Sequence, residues 1–356
     1  MPPGPDTRLG TRLPALRGGL LALLAALLFG ISTPLVQRFG VGVGAFTTAA
    51  LLYAGAALAG AALRRPAAQE ARLLRSDLPR LLAMAGFGAV IGPVALAWGL
   101  QRTSGTSASL MLTLEALFTA LLAWRLYHET LDRRVGSAML LLLAGGMVLV
   151  LDQGRGGEAS LRGMLAVLLA TAAWGIDNTL SRALAERDPG QVVMAKSAFG
   201  AAATAALGFG LGEPLPGGLA MLALFGIGAA GYGLSLRFYL LAQRAFGAGR
   251  TGSVFAFAPF IGAGFALALG DRSAGWTVAL GSGLMLGGVL LHLAESHRHE
   301  HRHETQEHEH AHSHDDGHHE HGHAPMPAGP HSHPHRHAPQ RHVHGHVPDA
   351  HHAHRH

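Results

Sequence analysis

Residues 29–38 read FGISTPLVQR, and residues 174–183 read WGIDNTLSRA. Each pairs an aromatic residue with glycine, then isoleucine and two small polar residues, inside an apolar run. Two further stretches repeat in the same order. LQRTSGTSAS at 100–109 parallels AQRAFGAGRT at 242–251, and LEALFTALLAWRLYHE at 114–129 parallels FAPFIGAGFALALGD at 257–271. The offsets run from 142 to 145 residues. Ala/Gly/Leu tracts match by chance, but the shared Gln-Arg steps and the loop acids do not. The chain therefore reads as a duplication.

Apolar runs of about 18–23 residues are long enough to cross a bilayer. Ten are present, at roughly 17–36, 41–63, 80–100, 105–126, 134–151, 161–182, 191–211, 217–240, 250–269 and 274–293. The first follows Arg8, Arg12 and Arg17 and resembles a signal peptide. It is too long for a typical h-region and has no clear small-x-small cleavage site, so it is expected to be an uncleaved helix. With five spans per half, the second half enters the bilayer from the opposite side. The expected fold is an all-α integral membrane protein of ten transmembrane helices, arranged as two inverted five-helix repeats plus a disordered tail. The expected boundaries are a cytoplasmic N-terminal segment at 1–16, repeats at 17–151 and 161–293, a loop at 152–160 and a tail at 294–356.

Arginines are distributed unevenly between loops. With the N-terminus placed in the cytoplasm, the inside segments before the tail hold fourteen, and the outside loops hold Arg38, Arg102, Arg155, Arg162 and Arg272. This positive-inside bias puts both termini in the cytoplasm, in what reads as a bacterial inner membrane. The formal net charge of +5 comes mostly from these arginines and does not indicate nucleic-acid binding. With no cysteine, thiolate sites and disulfides are excluded. Abundant glycine (49 residues) suits closely packed membrane helices.

The repeated motifs resemble the EamA-type branch of the drug/metabolite transporter superfamily. Halves of that kind carry an early aromatic-Gly pair, here Phe29-Gly30 and Trp174-Gly175. They also carry a Glu-Pro step in the fourth helix and an acid at its end. The first half has Glu115 followed by Ala116, and ends on Glu129; the second has Ala258 before Pro259, and its acid, Asp271, comes one residue early. The resemblance spans about 17–293. It implies a secondary transporter, often an exporter of metabolites or amino acids, and does not imply a substrate.

Ionisable groups at bilayer depth cost about 2.5–3.5 kcal/mol each on insertion scales, so they mark function or pairing. The candidates are Glu115, Asp177, Lys196 and Arg237, with Asn178 and Gln101 as polar neighbours. Glu115 lies deep in the fourth span, where a carboxyl suits a proton carrier; its alternative is a structural ion pair with Lys196 or Arg237. Asp177 and Asn178 are candidate solute contacts. Lys196 and Arg237 are candidate substrate or coupling residues near helix ends; the alternative for Lys196 is to snorkel to water, and for Arg237 to serve as a positive-inside anchor. His128 and Glu129 read as a solvated helix end, and His292 as an interfacial residue. No span carries His/Asp at i, i+4, the spacing of a dedicated zinc site.

The last sixty residues hold 23 of the 25 histidines and no Trp, Tyr, Phe, Leu or Ile. Such a segment has nothing with which to build a core. HRHEHRHE and HEHEHAHSH alternate histidine with another residue, and in an extended chain positions i and i+2 face the same way. The expected metal ligands are His297, His299, His301, His303, His308, His310, His312, His314, His318, His319, His321 and His323. Imidazole suits zinc, nickel, cobalt and copper, so the tail is expected to take such divalent ions with low selectivity. No cofactor is required, and nothing indicates an enzyme. The expected partners are a small-molecule solute, the lipid bilayer and divalent metal ions, with a homodimer as the alternative to a monomer and no nucleic acid. Three functions stay open: a transporter of a small organic solute with an accessory tail, a divalent transition-metal transporter, or a membrane metal sensor or chaperone.

Overall fold

The computed structural model describes residues 12–65, 70–127, 133–155, 157–184, 187–246, 248–273 and 275–293, and four stretches of the tail. The body is helical throughout. Its helices are α1 (Arg12–Phe39), α2 (Ala45–Ala62), α3 (Arg75–Leu100), α4 (Gly105–Leu126), α5 (Arg133–Arg155), α6 (Glu158–Ser181), α7 (Pro189–Gly210), α8 (Gly218–Ala245), α9 (Thr251–Ala268) and α10 (Trp276–Leu293). Among the described residues, nine are long and apolar enough to cross a membrane; the apolar stretch of α10, Trp276–Leu291, is shorter. Only helices and closed barrels satisfy every backbone group in hydrocarbon, so the chain is a multi-pass integral membrane protein.

The ends of these helices follow local sequence. Ser104 caps α4, its side chain accepting from the Ser107 N–H at 3.1 Å. Asp188 precedes Pro189 at the start of α7 and accepts from the Gly190 N–H at 2.9 Å. Proline at the first turn and an oxygen side chain at the cap are the expected helix-start chemistry. Helices α3 and α8 are each interrupted by a π-helical stretch, at Gly86–Ile91 and Gly228–Leu234. π-turns of this kind free backbone carbonyls and recur at functional sites.

Packing pairs α2 with α7 and α5 with α10. Helix α1 packs on α8 and α9, while α6 packs on α3 and α4. Each pairing maps onto another when a helix is replaced by the one five places along the chain. Close approach depends on small residues, as it does in membrane bundles generally. At Gly30 an added Cβ would sit 2.4 Å from the Ala258 carbonyl oxygen, so α1 and α9 touch through backbone. At Gly55 it would meet the Phe225 carbonyl at 2.0 Å, which fixes the crossing of α2 and α8.

The two ends of the bundle are held differently. At the arginine-rich end, Arg244 reaches Glu70 at 2.7 Å and Arg187 reaches Asp77 at 3.0 Å. The Asp188 N–H donates to the Ala71 carbonyl at 2.7 Å, joining the loop before α3 to the loop before α7. At the opposite end, Gln37 donates to the carbonyls of Leu100 and Thr103, at 3.0 and 2.9 Å. Asp271 accepts from the Thr106 N–H and hydroxyl, both at 2.9 Å.

In the tail, β1 (His297–Arg302) pairs antiparallel with β4 (Arg341–His346), and β2 (Gln306–His312) with β3 (His331–His337). The register sets His299 opposite His344 and His310 opposite His333. Composition predicts a wholly disordered tail, whereas these four segments are extended and paired. Strict alternation of histidine with another residue has the period of a strand, which accounts for the extended conformation. Two strands alone fall short of the three that independent stability requires.

Candidate functional site

One cavity of about 480 Å3, its open mouth included, lies where the two halves meet. Glu115, near the middle of α4, is on its lining, as are Asp177 and Asn178 from the last two turns of α6 and Lys196 from the second turn of α7. The remaining lining includes Phe29, Tyr53, Trp174, Gly231, Tyr232, Ser235, Leu236, Tyr239 and Phe255. Most of these positions are in the half of each helix nearer the arginine-rich end. On the far side, α4 and α9 pack together through Gly105–Met111 and Ala258–Ala268. No comparable packing joins Glu115–Tyr127 to Ala248–Phe255 among the described residues.

Four of the predicted site residues converge here. Lys196 and Asp177 form a buried ion pair, the ammonium donating to Oδ2. The Asn178 amide donates to Glu115 Oε1. Thus Lys196 pairs with Asp177, not with Glu115 as the sequence left open. Asp177 Oδ1 is buried without a hydrogen-bond partner, and so is the Tyr232 hydroxyl. Buried polar atoms are nearly always paired, so two without a partner on residues lining one cavity are notable.

The other predicted residues lie elsewhere or outside the described part. Arg237 does not line the cavity; its guanidinium donates to the Leu63 carbonyl at 2.7 Å, at the arginine-rich end. Gln101 closes the opposite end by donating to the carbonyls of Gly40 (3.3 Å) and Val43 (2.8 Å). His128 and Glu129 are outside the described residues, as are His303, His314, His318, His319, His321 and His323. His297, His299, His301, His308, His310 and His312 fall on β1 and β2, described here by backbone alone. Among the described residues, no group of three or more His, Cys, Asp or Glu is placed to hold a metal ion.

Sequence reasoning missed the aromatic part of the site. Phe29 packs edge-on to Trp174 with ring centroids 5.6 Å apart, and to Tyr232 at 5.9 Å. Tyr53 contacts Tyr232 at 5.5 Å, and Tyr239 contacts Phe255 at 5.0 Å. The Gly88 carbonyl, within the π-stretch of α3, accepts from Trp174 Nε1 at 3.0 Å and from the Tyr53 hydroxyl. Gly88 also leaves room for Asp177, whose carboxylate a Cβ there would strike at 2.1 Å. A signal was available: the chain has only four tyrosines, and three of them line the cavity.

Outside the spans, Asp271 is the one acid of the repeated motif whose surroundings are described. Partial burial pushes its carboxyl up, but hydrogen bonds from Thr106 and Ser273 outweigh this and hold it below the usual carboxylate range.

Three comparisons bear on this architecture. An uncharacterized transporter of Methanothermobacter thermautotrophicus (strain Delta H) is 30% identical over 215 residues, which is 58% of this chain and 61% of that protein. The match therefore spans less than two thirds of that relative's length. A protein crystal structure shares the fold at a TM-score of 0.55 and 22% identity, covering 77% of this chain and 94% of that one. The EamA-like transporter family matches twice in succession, at residues 16–151 and again at 161–294. The double match covers both five-helix halves, and with it the chain belongs to the EamA-like transporter family, whose members move solutes across membranes and are not enzymes.

Proposed function

We propose that this protein is a secondary transporter that exports a small organic metabolite or amino-acid-like solute through the cavity between its halves. The observation that carries this reading is the convergence of Glu115, Asp177, Asn178 and Lys196, from three helices, on one cavity in the middle of the bundle. The halves are inverted repeats, a reading supported by the odd span count and by the packing pairs that interchange on a five-helix shift. Both termini are cytoplasmic, in a bacterial inner membrane, and the arginine-rich end is the inner one. Most of the lining lies in the half of each helix nearer that end, which suits loading of a solute for export.

Glu115 is the coupling residue. It is the one lining carboxylate without a cationic partner, so it takes up and releases a proton as the solute leaves and enters. The titratable groups around it are Asp177 on α6, Lys196 on α7 and Tyr239 on α8. The test is transport by the purified protein in proteoliposomes, with and without a pH gradient. Glu115→Gln is expected to abolish gradient-driven transport while the protein stays folded. Wild-type pH dependence in that variant removes Glu115 from the coupling step.

The tail is an accessory that binds divalent zinc, nickel, cobalt or copper at its alternating histidines. The second reading, a divalent-metal transporter, has the 23 tail histidines in its favour. The cavity weighs against it, because among the described residues an ammonium stands with the two carboxylates of its lining. Truncation after Glu295 is expected to remove most zinc and nickel binding while preserving membrane insertion and solute transport. High-affinity metal transport by the truncated protein would favour the second reading.

A further inference from the structure

We infer that the solute is an organic ammonium: one protonated amine carried on a ring-sized apolar body. This deepens the reading of the cavity as a solute site and rests on it. The first ground is charge. The lining holds two carboxylates, Glu115 and Asp177, and one ammonium, Lys196. Lys196 is spent on Asp177, and Glu115 is met only by the neutral Asn178 amide. With Glu115 deprotonated, the state in which it has released its proton, the cavity carries one uncompensated negative charge. In a medium of low dielectric such a charge attracts a cation and repels an anion far more strongly than in water.

Hydrogen-bonding capacity points the same way. An ammonium has three donors and no acceptor. The unpartnered Asp177 Oδ1 is an acceptor, and Asp177 is only 4% exposed. A solute carboxylate, by contrast, needs a free cation. Arg237, the other cation the sequence offered as a candidate, donates to the Leu63 carbonyl and is not part of the lining. Among the described residues the lining thus offers no free cation to a solute carboxylate, whether of an anion or of a zwitterion.

The shape of the lining accounts for the apolar body. Across from the acids stand Phe29, Tyr53, Tyr232, Tyr239 and Phe255, with Trp174 beside Phe29. Aromatic faces hold a cation's organic substituents and interact favourably with the charge itself.

The test holds the solute's body constant and changes only its charge. Phenethylamine, phenylalanine and phenylacetate are offered to the full-length protein, with binding read by calorimetry in detergent and movement read in proteoliposomes. Phenethylamine is expected to bind at least about tenfold more tightly than either of the others, the difference one uncompensated charge makes. In Glu115→Gln that preference is expected to fall below about threefold. Equal or tighter binding of phenylalanine or phenylacetate overturns the ammonium assignment and leaves the cavity as a solute site. Failure of the wild type to bind or move any of the three overturns both readings. Because the wild-type series decides the outcome alone, the proposal stays falsifiable even if Glu115→Gln does not fold.

Discussion

The cavity wall built from α4, α6 and α7 carries Glu115, Asp177, Asn178 and Lys196, while the wall built from α1, α2, α8 and α9 carries Phe29, Tyr53, Tyr232, Tyr239 and Phe255 and no charge. These walls come from corresponding helices of the two halves. Ser32 and Thr33 stand where the other copy has Asp177 and Asn178, and Ala258 stands where it has Glu115. The positions that set helix approach are kept in both copies: Gly30 packs on α9 as Gly175 packs on α4. The positions that face the cavity have diverged. Ser32 returns its hydroxyl to the Phe29 carbonyl in its own helix at 2.6 Å and needs no partner elsewhere. Asp177 needs Lys196. A duplicated fold thus demands small residues twice, but it needs the charged groups only once.

The strongest way to break this comparison is to remove the cation from the polar wall. Lys196→Met strands a buried carboxylate and is expected to cost about 3–5 kcal/mol. Thermal unfolding in detergent measures the loss, and adding Asp177→Leu should recover most of it. A double variant as unstable as the single one would show that the pair is not what holds these helices.

A second test moves the acid to the other copy. Ala258 is fully buried, with its carbonyl against Gly30, so no cavity space awaits a side chain there. Ala258→Glu is expected to destabilise the protein by about 3 kcal/mol. It should also fail to restore transport to Glu115→Gln. Restored pH-driven transport would mean that the two walls are interchangeable.

The smallest effect is expected at Asp271, which ties the loop after α9 to the start of α4. Asp271→Ala removes a helix-cap acceptor and should cost about 1 kcal/mol at neutral pH. Its folded-state carboxyl is held below its ordinary value. Its contribution is therefore present above the unfolded pKa of about 3.9 and is lost as pH falls through the folded value. The stability gap between wild type and Asp271→Ala should hold from pH 7 to about 4 and narrow below it. A gap that closes already near pH 6 would assign the effect to another group.

Much of this was legible in one dimension. The cost of a polar residue in hydrocarbon is charged residue by residue, so the spans, the duplication and the membrane class could be read from local composition. The same accounting singled out Glu115, Asp177, Lys196 and Arg237, because a charge at bilayer depth is expensive whatever its partner. Asn178 and Gln101 read as their polar neighbours, and Arg237 and Gln101 are not on the lining. The alternation of histidine with other residues in the tail is likewise a property of the string. Tertiary structure alone decided the partners. Helix rotation and crossing put Lys196 against Asp177, left Glu115 to Asn178 and turned Arg237 to Leu63, and none of these follows from depth in a span. It also decided the aromatic wall and the two π-stretches. An aromatic side chain facing lipid and one facing a cavity look alike in hydropathy; only packing against helices distant in sequence tells them apart.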